Sequence, residues 1–207
     1  MSTIDIVDYC KLFRELLKRD IPSVYARLLL NMYTNSVANV RWNGACSTPF
    51  NVTDGVKQGG IVSPVLFCIY LDGLLLALRD SKVGCYIGQA YVGALAYADD
   101  VTLLAPTARA MRIQLKICDE YSEKFRIVFN ATKSACMVVG KKVRHWPDSG
   151  KYFSINGTNI SLVKEYCHLG HIITANLDHK TELISKRNLL CGKIDNVLCY
   201  FKNCDLL

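Results

Sequence analysis

Two aspartates, Asp99 and Asp100, stand side by side in residues 92–104, a stretch whose only other polar side chains are the hydroxyls of Tyr97 and Thr102. Adjacent carboxylates in an apolar setting repel each other and stay ionised only beside a counter-charge, and a divalent cation that prefers oxygen ligands suits both at once. A solvated surface turn is the commoner setting for an Asp-Asp pair. The flanks bear on the choice. Residues 90–95 and 101–104 are rich in β-branched, aromatic and aliphatic types and predict two short strands with the acids at their junction. Such a hairpin presents both carboxylates at one end of a sheet.

A second stretch with chemical potential is Gly55-Val56-Lys57-Gln58-Gly59-Gly60-Ile61-Val62-Ser63-Pro64. Its glycines free the backbone, while Ser63 and Pro64 offer an N-cap and a first helical residue, so a helix is expected from Pro64 to about Asp80. Two readings stand together: a glycine-rich connector with a well-made helix start, or a backbone surface bare of side chains against which a nucleotide or template base lies, with Gln58 hydrogen-bonding it.

The elements that must position these residues follow from periodicity. Leu12, Phe13, Leu16 and Leu17 recur at helical spacing, and Pro22 separates that helix from another running to about Asn31. Residues 37–42 and 48–52 read as strands joined through Asn43-Gly44, a pair suited to the positive backbone angles of a tight hairpin. Residues 107–125 carry Met111, Leu115, Cys118 and Phe125 on one helical face, a core-packing pattern. Asn130, Lys133 and Ser134 precede a strand-like 135–139, Asn156-Gly157 turns another hairpin, residues 165–174 are extended around Leu169-Gly170, and the tail from His179 is helical. By itself a lysine before a strand is a surface residue, and Leu-Gly is a turn.

With 207 residues and 51% hydrophobic content the chain is globular rather than disordered. Its 25 basic against 18 acidic residues, a net charge of +7, favour a polyanionic partner. The basic runs at residues 11–19 and 141–144 suit phosphates, and equally suit ordinary solvated faces. Ten cysteines are scattered singly, mostly in apolar surroundings, and read as small core residues; Cys167, His168 and His171 with the later cysteines lack the paired short spacings of a structural zinc site. No secretory leader pattern opens the sequence, so a reducing, intracellular location, cytoplasm or nucleus, is expected. The longest apolar segment, residues 64–78, is broken by Asp72 and Gly73 and is too short for a membrane span.

The order of four motifs, residues 55–64, then 97–100, then 130–134, then 166–170, resembles the palm of reverse transcriptases, particularly those of non-LTR retrotransposons. The likeness runs from about Ile4 to Thr174. It implies an α+β fold: a polymerase palm-like mixed sheet with a catalytic hairpin packed on helices, partial fingers and the start of a thumb. Residues 1–174 would form the palm-like domain and residues 175–207 a partial thumb or C-terminal helix. By resemblance Asp99 and Asp100 bind the metals, Gln58 and Gly59 lie against the incoming nucleotide, and Ser63 and Pro64 begin the helix that supports the template. Lys133 approaches the triphosphate as a catalytic residue that protonates the departing pyrophosphate, and Leu169-Gly170 grips the primer.

The implied function is RNA-templated DNA synthesis by two-metal nucleotidyl transfer, with Mg2+ as cofactor and an RNA template, a DNA primer and deoxynucleoside triphosphates as partners. The family uses a third metal-binding carboxylate on a strand that precedes a Phe-Asp pair. Ile4-Asp5 stands where that pair belongs, so the third ligand is expected upstream of Met1, and Ile4 replaces the aromatic residue that screens the sugar. Taken alone, the chain is expected to be an inactive or weakly active fragment completed by other parts of a longer polyprotein. The alternatives are a non-catalytic nucleic-acid-binding remnant of a mobile element and a decayed reading frame.

Overall fold

The computed structural model describes residues 7–53, 55–56, 59–140 and 153–202. The first described element is α1 (Tyr9–Lys18), capped by the Asp8 carboxylate, which accepts from the Lys11 amide at 3.2 Å, and α2 (Ser23–Thr34) starts immediately after Pro22. Strands β1 (Val37–Ala38), β2 (Arg41–Trp42), β3 (Ala45–Cys46) and β4 (Phe50–Asn51) fold back on one another about Asn43-Gly44, both at positive φ, 46° and 82°. The expected hairpin is thus present, but its strands are interrupted. The Ser47 hydroxyl accepts from the Val40 amide at 2.9 Å, a side-chain bond within the ladder.

Helix α3 (Ser63–Asp80) follows the glycine-rich segment, then come strands β5 (Tyr86–Ile87), β6 (Ala90–Tyr91), β7 (Ala94–Tyr97) and β8 (Asp100–Leu103), and helix α4 (Ala108–Phe125) with the Thr107 hydroxyl accepting from the Ala110 amide at 3.1 Å. The strand leading into the acids begins at Ala94 rather than at residue 90, because residues 90–91 pair backward with β5. The remaining elements are β9 (Ala135–Cys136), β10 (Ser154–Ile155), β11 (Thr158–Asn159), β12 (Ser161–Leu162), β13 (Glu165–His168), β14 (His171–Thr174) and α5 (Lys180–Lys202). The protein is α+β. Its described strands pair two by two rather than in one continuous sheet: β9–β12 is parallel, while β1–β4, β2–β3, β5–β6, β7–β8 and β13–β14 are antiparallel. No described helix is long and apolar enough to cross a membrane.

Two compact units divide the chain, residues 1–130 with 153–158 and residues 131–152 with 159–207. The core of the first is α3, which touches α1, α4 and β7. Leu66, Phe67, Tyr70, Leu71, Leu74 and Leu78 are buried along it. The Tyr70 and Phe125 rings meet edge to face at 5.3 Å, and Tyr121 stacks on Phe125 at 4.2 Å while its hydroxyl donates to the Tyr70 carbonyl at 2.6 Å. In the second unit, α5 touches β14.

The cysteines are a correction. Cys118 is buried, but Cys68 is exposed although it lies between Phe67 and Ile69, as are Cys10, Cys46, Cys167, Cys191 and Cys199. Helical geometry turns Cys68 away from the face that buries Phe67, Leu71 and Leu74, which sequence neighbours alone do not reveal. Burial, helped by the Asp119 charge, pushes the Cys118 thiol up to about 12. Since the thiolate is the reactive species, iodoacetamide at pH 8 should label Cys10, Cys46 and Cys68 in the folded protein and spare Cys118 until denaturant is added. Mass spectrometry of the labelled peptides reads the order, and early modification of Cys118 would contradict its burial.

Candidate functional site

The β7–β8 hairpin holds both acids at its tip. Tyr97 pairs with Asp100 as the last rung, so Ala98 and Asp99 form a two-residue turn. Ala98 carries φ of 53°, the left-handed region. That conformation costs a non-glycine residue about 1–2 kcal/mol, and strain of this kind collects where a side chain must be presented in one place. Asp99 and Asp100 are both exposed. The expectation of charges held in an apolar setting is therefore corrected: the flanking strands are apolar, but the acids project at their end, where water damps the repulsion.

The base of the hairpin is anchored. Leu104 donates its amide to the Gly93 carbonyl at 2.8 Å, and the Cys85 amide donates to the Leu104 carbonyl at 3.1 Å. From α4, Gln114 Nε2 donates to the Gly93 carbonyl at 2.9 Å, and also lies 3.2 Å from the Val83 carbonyl and 3.2 Å from the Tyr91 hydroxyl. Gln114 is fully buried, with its Oε1 lacking a hydrogen-bond partner among the described residues. Sequence reasoning missed this residue. The available signal was the four-three-four spacing of positions 114, 118, 121 and 125, all buried on α4, which places a glutamine on the core face.

Of the glycine-rich segment, Gln58 lies outside the described residues. Gly59 has φ of 78°, and a Cβ added there would meet nothing within 4 Å, so its backbone faces open space. Ser63 is a second correction. It does not cap α3; Val62 occupies the cap position without a side-chain bond, and Pro64 sits in the first turn. The Ser63 hydroxyl is buried instead, 3.4 Å from the Tyr33 hydroxyl of α2. Because α3 touches β7, the helix begun at Ser63 and Pro64 belongs to the same unit as the acids.

Lys133 and the Leu169-Gly170 turn lie in the other unit. Lys133 is exposed, and its backbone carbonyl accepts from the Tyr166 hydroxyl at 3.2 Å, which ties the lysine turn to β13. Leu169 and Gly170, with φ of 49° and 75°, close the β13–β14 hairpin between His168 and His171. The Glu182 carboxylate on α5 accepts the Ile172 amide at 2.6 Å and meets His171 Nδ1 at 3.0 Å. The Ile172 amide above all holds that carboxyl below its ordinary range; desolvation opposes it, and the His171 bond and the Lys186 charge add smaller downward effects.

Three basic residues of the 11–19 run are in ion pairs: Lys11 with Asp8 at 3.6 Å, Lys18 with Glu15 at 2.7 Å, and Arg19 with Asp72. The run at 141–144 lies outside the described residues, as do Ile4 and Asp5. No group of three or more His, Cys, Asp and Glu residues able to hold a metal occurs among the described residues.

An Asp-Asp hairpin tip, a bare glycine turn before a long helix, and a lysine turn tied to a Leu-Gly hairpin follow one another in the chain. Residues 5–172 match the family described as reverse transcriptase (RNA-dependent DNA polymerase). The chain belongs to that family. It is 30% identical over 141 residues to the Pol polyprotein from the type-2 retrotransposable element R2DM of Drosophila melanogaster, covering 68% of this chain and 13% of that protein. It is 29% identical over 164 residues to the Pol polyprotein from the type-1 element R2 of Popillia japonica, covering 77% and 27%. Against the RNA-directed DNA polymerase from the mobile element jockey of Drosophila funebris, identity is 24% over 165 residues, covering 77% and 17%. The resemblance to reverse transcriptases of non-LTR retrotransposons therefore stands. The chain spans well under a third of the length of these relatives.

Proposed function

We propose that this chain is the palm segment of a non-LTR retrotransposon reverse transcriptase, carrying Asp99 and Asp100 as metal-binding carboxylates for RNA-templated DNA synthesis by two-metal nucleotidyl transfer. The observation that carries the reading is the hairpin tip, where a left-handed Ala98 turns the chain so that two exposed carboxylates, Asp99 in the turn and Asp100 in the last rung, stand at the end of a ribbon anchored at its base by Gln114. Two exposed carboxylates suit Mg2+, which takes oxygen ligands, keeps several waters and is usually held by one or two acids together with substrate phosphates. When bound, the metals would lower the pKa of the primer 3′-hydroxyl and neutralise charge on the transferring phosphoryl group.

The other residues have positioning roles in this reading. Gln58 and Gly59 offer hydrogen bonds and open backbone to the nucleotide, while Ser63 and Pro64 start the helix beneath the template. Lys133 delivers a proton to the departing pyrophosphate, and the Leu169-Gly170 turn contacts the primer. The RNA template, DNA primer and deoxynucleoside triphosphates are its partners, within a longer element-encoded polyprotein. Alone, the chain supplies two carboxylates and extends a primer weakly. The net charge of +7 also favours a second reading, nucleic-acid binding without chemistry.

Binding and primer extension separate the two. Fluorescence anisotropy with a DNA primer annealed to an RNA template, in a KCl series from about 50 to 200 mM, should give a log–log slope of about −3 or steeper, an affinity loss of about 60-fold. An affinity indifferent to salt, or none at low salt, removes nucleic acid as the partner and with it both readings. Salt-sensitive binding without extension, even after a third carboxylate is supplied, leaves the non-catalytic reading.

A further inference from the structure

Among the described residues, three two-residue hairpin turns have positive φ at both positions: Asn43-Gly44, Asn156-Gly157 and Leu169-Gly170. The first two use asparagine at the leading position, a residue that tolerates the left-handed region. Leucine does not, and is uncommon there. Leu169 is 49% exposed at the tip, so burial of its own side chain does not compensate for that backbone conformation. Contacts from outside the hairpin do.

One turn of α5 grips three consecutive residues, the last of the turn and the first two of the return strand β14. Lys186 Nζ donates to the Gly170 carbonyl at 2.6 Å, Glu182 Oε1 meets His171 Nδ1 at 3.0 Å, and Glu182 Oε2 accepts the Ile172 amide at 2.6 Å. Lys186 and Glu182, four residues apart, also pair with each other at 3.8 Å. The Glu182 side chain is 15% exposed, while its partner His171 is largely open to water.

We propose that Glu182 and Lys186 are positioning residues that hold the Leu169-Gly170 turn in the conformation that meets the primer, so that α5 sets the geometry of primer contact without touching the primer. This rests on the reading of Leu169-Gly170 as the primer-contacting turn. A charge argument makes the role separable from simple attraction. Removing the Glu182 carboxylate takes a negative charge away from a surface that binds a polyanion, which on electrostatics alone tightens binding. A positioning role predicts the opposite sign.

The test uses the full 207-residue chain and two probes, a DNA primer annealed to a longer RNA template, leaving a recessed 3′ end, and the same RNA single-stranded. Wild type should prefer the recessed hybrid. Glu182→Ala should weaken hybrid binding about 10-fold, with single-strand affinity and the salt slope unchanged, and should accelerate hydrogen exchange at the Ile172 amide. Glu182→Gln, which keeps one carbonyl acceptor for that amide, should fall between. Lys186→Ala, at a half-exposed position away from the core, should reproduce the hybrid-specific loss, and Lys186→Arg should recover most of it; this pair carries the test if Glu182→Ala does not fold. Equal or tighter hybrid binding by Glu182→Ala with faster Ile172 exchange, or unchanged exchange, overturns the clamp and leaves the primer-turn reading intact. A wild type with no preference for the recessed hybrid overturns that reading, and the clamp's role falls with it.

Discussion

Replacing Asp99 or Asp100 by asparagine should reduce RNA-templated primer extension by at least about 10^3-fold, a loss of about 4 kcal/mol of transition-state stabilisation, while hybrid binding stays level or tightens slightly. Each substitution removes one negative charge and leaves size and turn geometry close to native, so the site loses cation affinity without losing the hairpin. On the proposed reading, binding rests on basic side chains and should escape the damage. The assay needs measurable activity, and the chain alone is expected to have little, because correct placement of reactants contributes roughly 7–11 kcal/mol to catalysis and two exposed carboxylates hold a metal pair loosely. On the proposed reading, fusing to this chain the part of the Drosophila melanogaster relative that precedes its matched segment should raise activity by adding a third carboxylate, and the asparagine variants are then compared in that background. Undiminished extension by the fused Asp99→Asn and Asp100→Asn proteins would remove the metal assignment. Robust extension by the 207-residue chain itself, lost in Asp99→Ala, would show that another of its own carboxylates completes the site.

Local rules made much of the architecture readable. Asn-Gly pairs dictate tight hairpins through backbone angles that few other residues adopt, and Asn43-Gly44 and Asn156-Gly157 both turn as expected. Apolar spacing and a proline within the first turn announced α3, and the apolar flanks announced the strands around Asp99 and Asp100. The pattern failed where tertiary contacts decide. Ser63 looks like an N-cap because serine satisfies free amides at helix starts, yet Tyr33 draws its hydroxyl inward and the helix starts one residue earlier. Gln114 was invisible because a polar residue on a core face is recognised only once its acceptors, the Val83 and Gly93 carbonyls, are known to lie beneath it. The same holds for Glu182, whose partners His171 and Ile172 are supplied by a hairpin rather than by its own helix. Pairing between strands is non-local, so alternation alone did not reveal that they would associate two by two.

Leu74→Ala should destabilise the protein by about 2–5 kcal/mol, a large part of the roughly 5–15 kcal/mol that holds a typical domain together. Leu74 is fully buried on α3, the helix that touches α1, α4 and β7, so its truncation leaves a cavity in the core of the first unit. The same helix offers an internal control, since Leu76 is 39% exposed and its truncation should cost about 0.5 kcal/mol or less. Gly73→Ala tests the packing from the other side. Alanine favours a helix over glycine by about 1 kcal/mol, but a Cβ at this position would stand 2.8 Å from the Tyr121 hydroxyl. That hydroxyl is held by the Tyr70 carbonyl and its ring is stacked on Phe125. Overpacking of this kind costs about 1–3 kcal/mol, so the clash should outweigh the propensity gain and Gly73→Ala should be the less stable protein. Urea denaturation of the four proteins decides the order: wild type and Leu76→Ala together, Gly73→Ala below them and Leu74→Ala lowest. A Leu74→Ala midpoint equal to that of Leu76→Ala would mean that α3 does not form the centre of the core, and the support it gives to the hairpin bearing Asp99 and Asp100 would have to come from α4 through Gln114 alone.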